Sequence, residues 1–115
     1  HKPVKNEVAA KRFTFYDILA RGEVIVRTDI PVEVKQNKIY LQLGAFKSDA
    51  DADNFEAKMT LLGLRPQVQS LDIPEKGGHW FIVRIGPVKD DNELGMIKML
   101  LAQNNVEFGV VSKKE

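Results

Sequence analysis

From residue 39 to residue 111 the chain is one pattern written twice, at an offset of 42 residues. Leu41-Gln42-Leu43-Gly44 recurs as Val83-Arg84-Ile85-Gly86. Ala52 recurs as Leu94, Phe55 as Ile97, Met59 as Leu101 and Val68 as Val110. Gly63 recurs as Asn105, the other residue type that tolerates a left-handed backbone. A fixed period of this length means one supersecondary unit used twice. Each copy reads strand, helix, strand. Two copies imply an α+β fold of the ferredoxin-like (RNP-like) βαββαβ type, with a four-stranded antiparallel sheet and both helices on one face.

The alternation within each copy assigns the faces. Ile39, Leu41, Leu43 and Ala45 share one side of the first strand; Tyr40, Gln42, Gly44 and Phe46 share the other. Ser48 is an N-cap for a helix carrying Ala52, Phe55, Met59 and Leu62 on one face, and Gly63 ends it. Residues 66–72 read as the second strand, with Pro74 and Gly77-Gly78 in the loop. In the second copy Phe81, Val83 and Ile85 alternate with Trp80, Ile82 and Arg84. Asp90 or Asp91 caps a helix with a Leu94, Ile97, Leu101 stripe, and residues 106–111 read as the last strand. The helices need the Leu41/Leu43 and Val83/Ile85 side. The first and third strands are central in this fold, so Tyr40, Gln42, Trp80, Ile82 and Arg84 are expected side by side on the open face.

Ahead of the repeat, residues 1–38 read as a tail and residues 39–115 as the domain. The tail holds eight basic and five acidic side chains, whereas the domain holds nine basic and eleven acidic ones. A slightly acidic domain is a poor start for nucleic acid, which needs Lys and Arg against phosphates. Residues 1–12 are polar and read as a disordered arm, and residues 20–38 as a linker in which Val24-Ile25-Val26 can pair as a short strand. Within this polar tail residues 13–19, Phe-Thr-Phe-Tyr-Asp-Ile-Leu, are conspicuously apolar. They are expected to dock on the domain away from the open face; the alternatives are docking across that face, service to a partner, or an idle linker. No apolar run approaches the 18 residues of a membrane span, and the chain begins at His1. It is therefore expected to be a processed or excised segment.

There is no Cys, which removes disulfides and thiolate metal sites. His79 is the single His of the repeat region, so no catalytic or metal-binding set is expected, and no cofactor. The acidic residues of the first helix, Asp49, Asp51, Asp53 and Glu56, fit stabilisation of its N-terminal turn. The Gly pair, Gly44 and Gly86, lies at strand ends and in no phosphate-loop pattern. The open face, by contrast, joins aromatic stacking area to directed hydrogen-bonding groups. That mixture suits a sugar, or unstacked RNA bases on a sheet. The alternative is an interaction module whose face docks a protein partner or the chain's own tail.

Tyr40-Leu41-Gln42-Leu43-Gly44-Ala45-Phe46 and Trp80-Phe81-Ile82-Val83-Arg84-Ile85-Gly86-Pro87-Val88 resemble the two signature strands of a SPOR (sporulation-related repeat) domain. The tail segment Phe13-Thr14-Phe15-Tyr16-Asp17-Ile18-Leu19 is similar to one found ahead of the domain in cell-division proteins of the FtsN type. The resemblance implies non-catalytic binding of peptidoglycan glycan strands that lack stem peptides. It implies a periplasmic domain of an inner-membrane-anchored protein, targeted to the division septum, with division-complex proteins as further partners. The implied glycan contacts are Gln42 and Trp80, with Tyr40, Ile82 and Arg84 on the same face; the resemblance adds Ala45 and Val110. Ala45 stands where the family often has Ser, and Ile82 where it often has Arg; Arg84, two residues on, is placed to supply that donor.

Overall fold

The computed structural model describes residues 15–26 and 37–114. The expected polar arm, Phe13 and the linker around Pro31 lie outside the described residues. Strands β1 (Glu23–Val26), β2 (Asn37–Phe46), β3 (Gln67–Ile73), β4 (Gly78–Ile85) and β5 (Gly109–Lys114) form one sheet in the order β1-β5-β2-β4-β3. All its pairings are antiparallel. Helices α1 (Asp49–Leu61) and α2 (Asp91–Gln103) connect β2 to β3 and β4 to β5. The expected βαββαβ unit is present, with β2 and β4 as central neighbours.

The repeat is exact where the backbone needs special chemistry. Both helices are 13 residues long. Ser48 accepts from Asp51 N–H at α1, and Asp90 accepts from Glu93 N–H at α2. Each therefore satisfies an otherwise orphan donor of the first turn. At the other end Leu64 N–H bonds Met59 C=O, and Val106 N–H bonds Leu101 C=O. Both closures pass through a left-handed residue, Gly63 at φ 95° and Asn105 at φ 57°.

Ile39, Leu41, Leu43, Ala52, Met59, Val83, Leu94 and Leu101 form the core between sheet and helices. Along β2 the simple alternation breaks. Gln42 lies opposite Arg84, but the next paired residue is Gly44, opposite Val83, so Leu43 is an extra residue in a β-bulge. Parity reverses beyond it. Ala45, expected beside Leu41 and Leu43, turns to the other face and packs with Trp80 and Ile82. Phe46, expected on the open face, turns to the helices, its ring centroid 5.3 Å from that of Phe55.

The structure corrects three further expectations. The sheet has five strands because β1, from the expected tail, pairs along β5 (Glu23 opposite Lys113, Val26 opposite Val110). The last strand runs from Gly109, not from residue 106. Residues 106–108 are used in leaving the helix, and the polar Ser112 and Lys113 are carried in the strand by pairing with both β1 and β2, and Lys114 by pairing with β2. Val110 does not face away from the helices. It lies directly opposite Leu41, and directly opposed residues share a face, so it is buried in the helix-side core. Val111, opposite Tyr40, takes the other face.

Candidate functional site

The sheet face turned away from the helices carries Gln42, Ala45, Trp80, Ile82 and Arg84. It is covered by the chain itself. A single 3-10 turn, Phe15–Asp17, and the residues after it lie across β2 and β4. Phe15 and Ile18 are fully buried against Ala45, Ile73, Trp80 and Ile82. Burying each such side chain stabilises the docked segment by about 1.5–3 kcal/mol relative to leaving it in water. The aromatic segment thus docks in cis, but across the face and not away from it.

A polar seam runs along the edge of this apolar patch. Gln42 Nε2 donates to the main-chain carbonyls of Phe15 (2.7 Å) and Ile18 (2.8 Å). Its Oε1 accepts from Arg84 Nη2. Arg84 in turn grips Glu23 in a bidentate pair, Nη1 to Oε2 at 2.8 Å and Nη2 to Oε1 at 3.1 Å. Ala20 N–H donates to Glu23 Oε1 at 2.8 Å. The side chains of Arg84 and Glu23 are only 4% and 2% exposed. Burial pushes the Glu23 carboxyl up, but its bonds to Arg84 and Ala20 and the attraction of Arg84 and Lys113 outweigh that. The net result is a pKa below the ordinary glutamate value. Arg84 Nε has no partner among the described residues.

Trp80 is 1% exposed. Its indole Nε1 donates to Lys76 C=O at 2.8 Å, in the turn Pro74–Lys76 that leads into β4. Lys47 Nζ lies 4.8 Å from the centre of its ring, and Lys76 Nζ reaches over to Asp17 C=O. Tyr40 sits at the β5 side of the face, half-buried, with the Arg84 guanidinium 5.1 Å from its ring centre. Six of the seven residues singled out from the sequence therefore meet on one face, and Val110 does not. The sequence reading missed Glu23. An Arg in the middle of a central strand calls for a buried carboxylate partner, but nothing in the sequence marks which of the acidic residues supplies it.

Ser70, Asp72 and His79 lie near one another on the β3/β4 hairpin. His79 Nε2 is hydrogen-bonded to Ser70 Oγ. Its Nδ1, however, lies 3.9 Å from Asp72 Oδ1, too far for a hydrogen bond, and the His and Asp side chains are 54% and 69% exposed. Such a set lacks the oriented, water-excluding surroundings of a nucleophilic triad. Among the described residues no cluster of His, Cys, Asp or Glu is arranged to hold a metal ion, and no helix is long and apolar enough to cross a membrane.

A ferredoxin-like unit with an aromatic and amide-bearing sheet face defines a binding module. The model of the SPOR domain family matches residues 35–111, and the chain belongs to that family. It is accordingly a peptidoglycan-binding, division-related domain. Among solved structures it is similar to the crystal structure of the RlpA SPOR domain from Pseudomonas aeruginosa. The two are 22% identical with a TM-score of 0.53, over 63% of this chain and 95% of that one. At that identity the likeness speaks for the fold. No curated protein matches the chain.

Proposed function

We propose that this chain binds glycan strands of peptidoglycan from which the stem peptides have been removed. The binding is non-catalytic and serves to bring the protein that contains it to the division septum, from a periplasmic position below an upstream membrane anchor. The observation that carries this reading is the composition of one strip of the β2/β4 face. Trp80, Ile82 and Arg84 follow one another along this face of β4, and Gln42 lies opposite Arg84 on β2 and accepts from it. An indole offers a flat apolar surface for the C–H face of a sugar ring. Gln42 Nε2 already selects carbonyl acceptors, which the acetamido groups of the glycan present, and Arg84 already selects a carboxylate. Cutting the stem peptide from a strand frees a lactyl carboxylate on each muramic residue.

Sacculi treated with amidase are expected to retain the protein, and untreated sacculi to retain much less. Equal retention on both would refute the preference for denuded strands. A single Arg84–carboxylate contact gives only a shallow salt dependence, so a steep loss of binding with salt would point instead to a ligand held by many phosphate contacts, such as nucleic acid.

A second reading, an interaction module of the division complex, is favoured by one observation: the face already recognises a peptide, its own residues 15–23. Retention by a division-complex partner but not by denuded sacculi would select it.

A further inference from the structure

The described residues contain three buried polar or charged side chains, Glu23, Gln42 and Arg84, and all three lie at one seam. That seam joins residues 15–26 to the β2/β4 face. The rest of the interior is apolar. A permanent core gains little from a buried ion pair, because desolvation offsets most of its attraction; such pairs are better at specifying and switching a contact. The seam is also incompletely satisfied, since Arg84 Nε has no partner among the described residues. The covering segment lies wholly outside the residues that match the family, which begin at residue 35. The family unit contributes β2 to β5 with both helices, whereas β1 is an edge strand paired only through β5.

We propose that residues 15–26 are an intramolecular occupant of the glycan-binding face, and that glycan and segment compete for it. This rests on the peptidoglycan reading above and adds how the site is regulated. In the closed state Gln42 holds the Phe15 and Ile18 carbonyls, Arg84 holds the Glu23 carboxylate, and Phe15 and Ile18 cover Trp80. In the open state acetamido carbonyls replace the two main-chain carbonyls and a lactyl carboxylate replaces Glu23. The exchange is like for like, so neither Gln42 nor Arg84 is left buried without a partner. The segment lowers apparent affinity by the fraction of molecules in which the face is uncovered. Anything that captured the released segment would switch binding on.

The test compares three forms of the full chain on amidase-treated sacculi. The first is the wild type. The second carries Ile18→Ala with Glu23→Ala, which loosens the segment without touching the face. The third carries Val24→Cys with Ser112→Cys. These residues are directly opposed in the β1/β5 ladder, on the side away from the face, and directly opposed positions fall within disulfide reach. The chain has no other Cys, so oxidation locks β1 in place cleanly.

The loosened form is expected to bind about tenfold more tightly if the open state is about one-tenth populated. The oxidised form is expected to lose binding and recover it on reduction. In the wild type, denuded strands are expected to speed hydrogen exchange of the Glu23–Val26 amides. Equal binding by loosened, oxidised and reduced forms would overturn the competition and leave the peptidoglycan reading standing. No binding by the loosened form, with its circular dichroism still native, would overturn the peptidoglycan reading and the competition with it.

Discussion

Glu23 and Arg84, 61 positions apart in the chain, meet in a buried bidentate pair with Nη1 to Oε2 at 2.8 Å. The pair fastens the edge strand β1 to the centre of the sheet. It also sets how docking responds to pH. Arg84 and Ala20 hold the Glu23 carboxyl below its ordinary value against the opposing effect of burial. A carboxylate with a lowered folded pKa contributes stability above its unfolded pKa, about 4.3 for Glu, and loses it as pH falls through the folded value. Docking of residues 15–26 is thus expected to hold at neutral and mildly acidic pH and to weaken below about pH 4. Trp80 is the only Trp, so its emission reports the covering directly. Glu23→Gln should flatten that acid transition; an unchanged transition would assign it to another carboxylate.

The two helix caps occupy equivalent positions but are unequally made. Asp90 accepts from Glu93 N–H at 2.8 Å, and the Glu93 carboxylate reaches back to Lys89 N–H at 2.7 Å. Ser48 makes a single bond of 3.3 Å to Asp51 N–H. Both Ser48→Ala and Asp90→Ala are expected to destabilise, within a range of about 0.5–2 kcal/mol, with Asp90→Ala the costlier. Urea denaturation of the two variants orders them; the reverse order would contradict the geometry.

Two glycines are expected to respond to alanine with opposite signs. A Cβ on Gly86 would lie 2.8 Å from Ile39 C=O, at a backbone φ of 134°. Two of its three nearest neighbours there are backbone atoms and the third is Tyr40 Cδ2, so Gly86→Ala is expected to cost about 1–3 kcal/mol from strain alone. Gly95, inside α2, has nothing within 4 Å of its would-be Cβ. Gly95→Ala is expected to stabilise by about 0.5–1 kcal/mol. Thermal melting of both variants checks the pair of signs.

Core and surface leucines on the helices separate just as sharply. Leu101 is fully buried under the sheet, whereas Leu61 is 86% exposed. Leu101→Ala is expected to cost about 2–5 kcal/mol. Leu61→Ala is expected to stay within about 0.5 kcal/mol of wild type. A large effect at Leu61 would reveal a partner for the end of α1.

The repeat carried most of the fold. Ser48 and Asp90 begin the helices, and Gly63 and Asn105 end them, because capping and left-handed turns depend on one or two local residues. The apolar stripes named the helix-side core, and period-two alternation put Gln42, Trp80, Ile82 and Arg84 on one face. Local chemistry settles such features, and a sequence displays local chemistry. Membership of a peptidoglycan-binding family was legible for the same reason: its two motifs are continuous in the chain, one along β2 and the other along β4 and the three residues after it.

What only the tertiary structure decided is long-range. The bulge at Leu43 reverses parity for Ala45 and Phe46, and no residue type announces it, since it is the register against β4 that absorbs the extra residue. The side taken by Val110 follows from lying opposite Leu41, a pairing between residues far apart in the chain. The covering of Trp80 by Phe15 and Ile18, and the choice of Glu23 for Arg84, likewise needed the folded sheet. An apolar segment advertises that it will be buried, and a mid-strand Arg that it needs a counter-charge. Which surface and which carboxylate answer them depends on the distances that the fold creates, and those exist only in three dimensions.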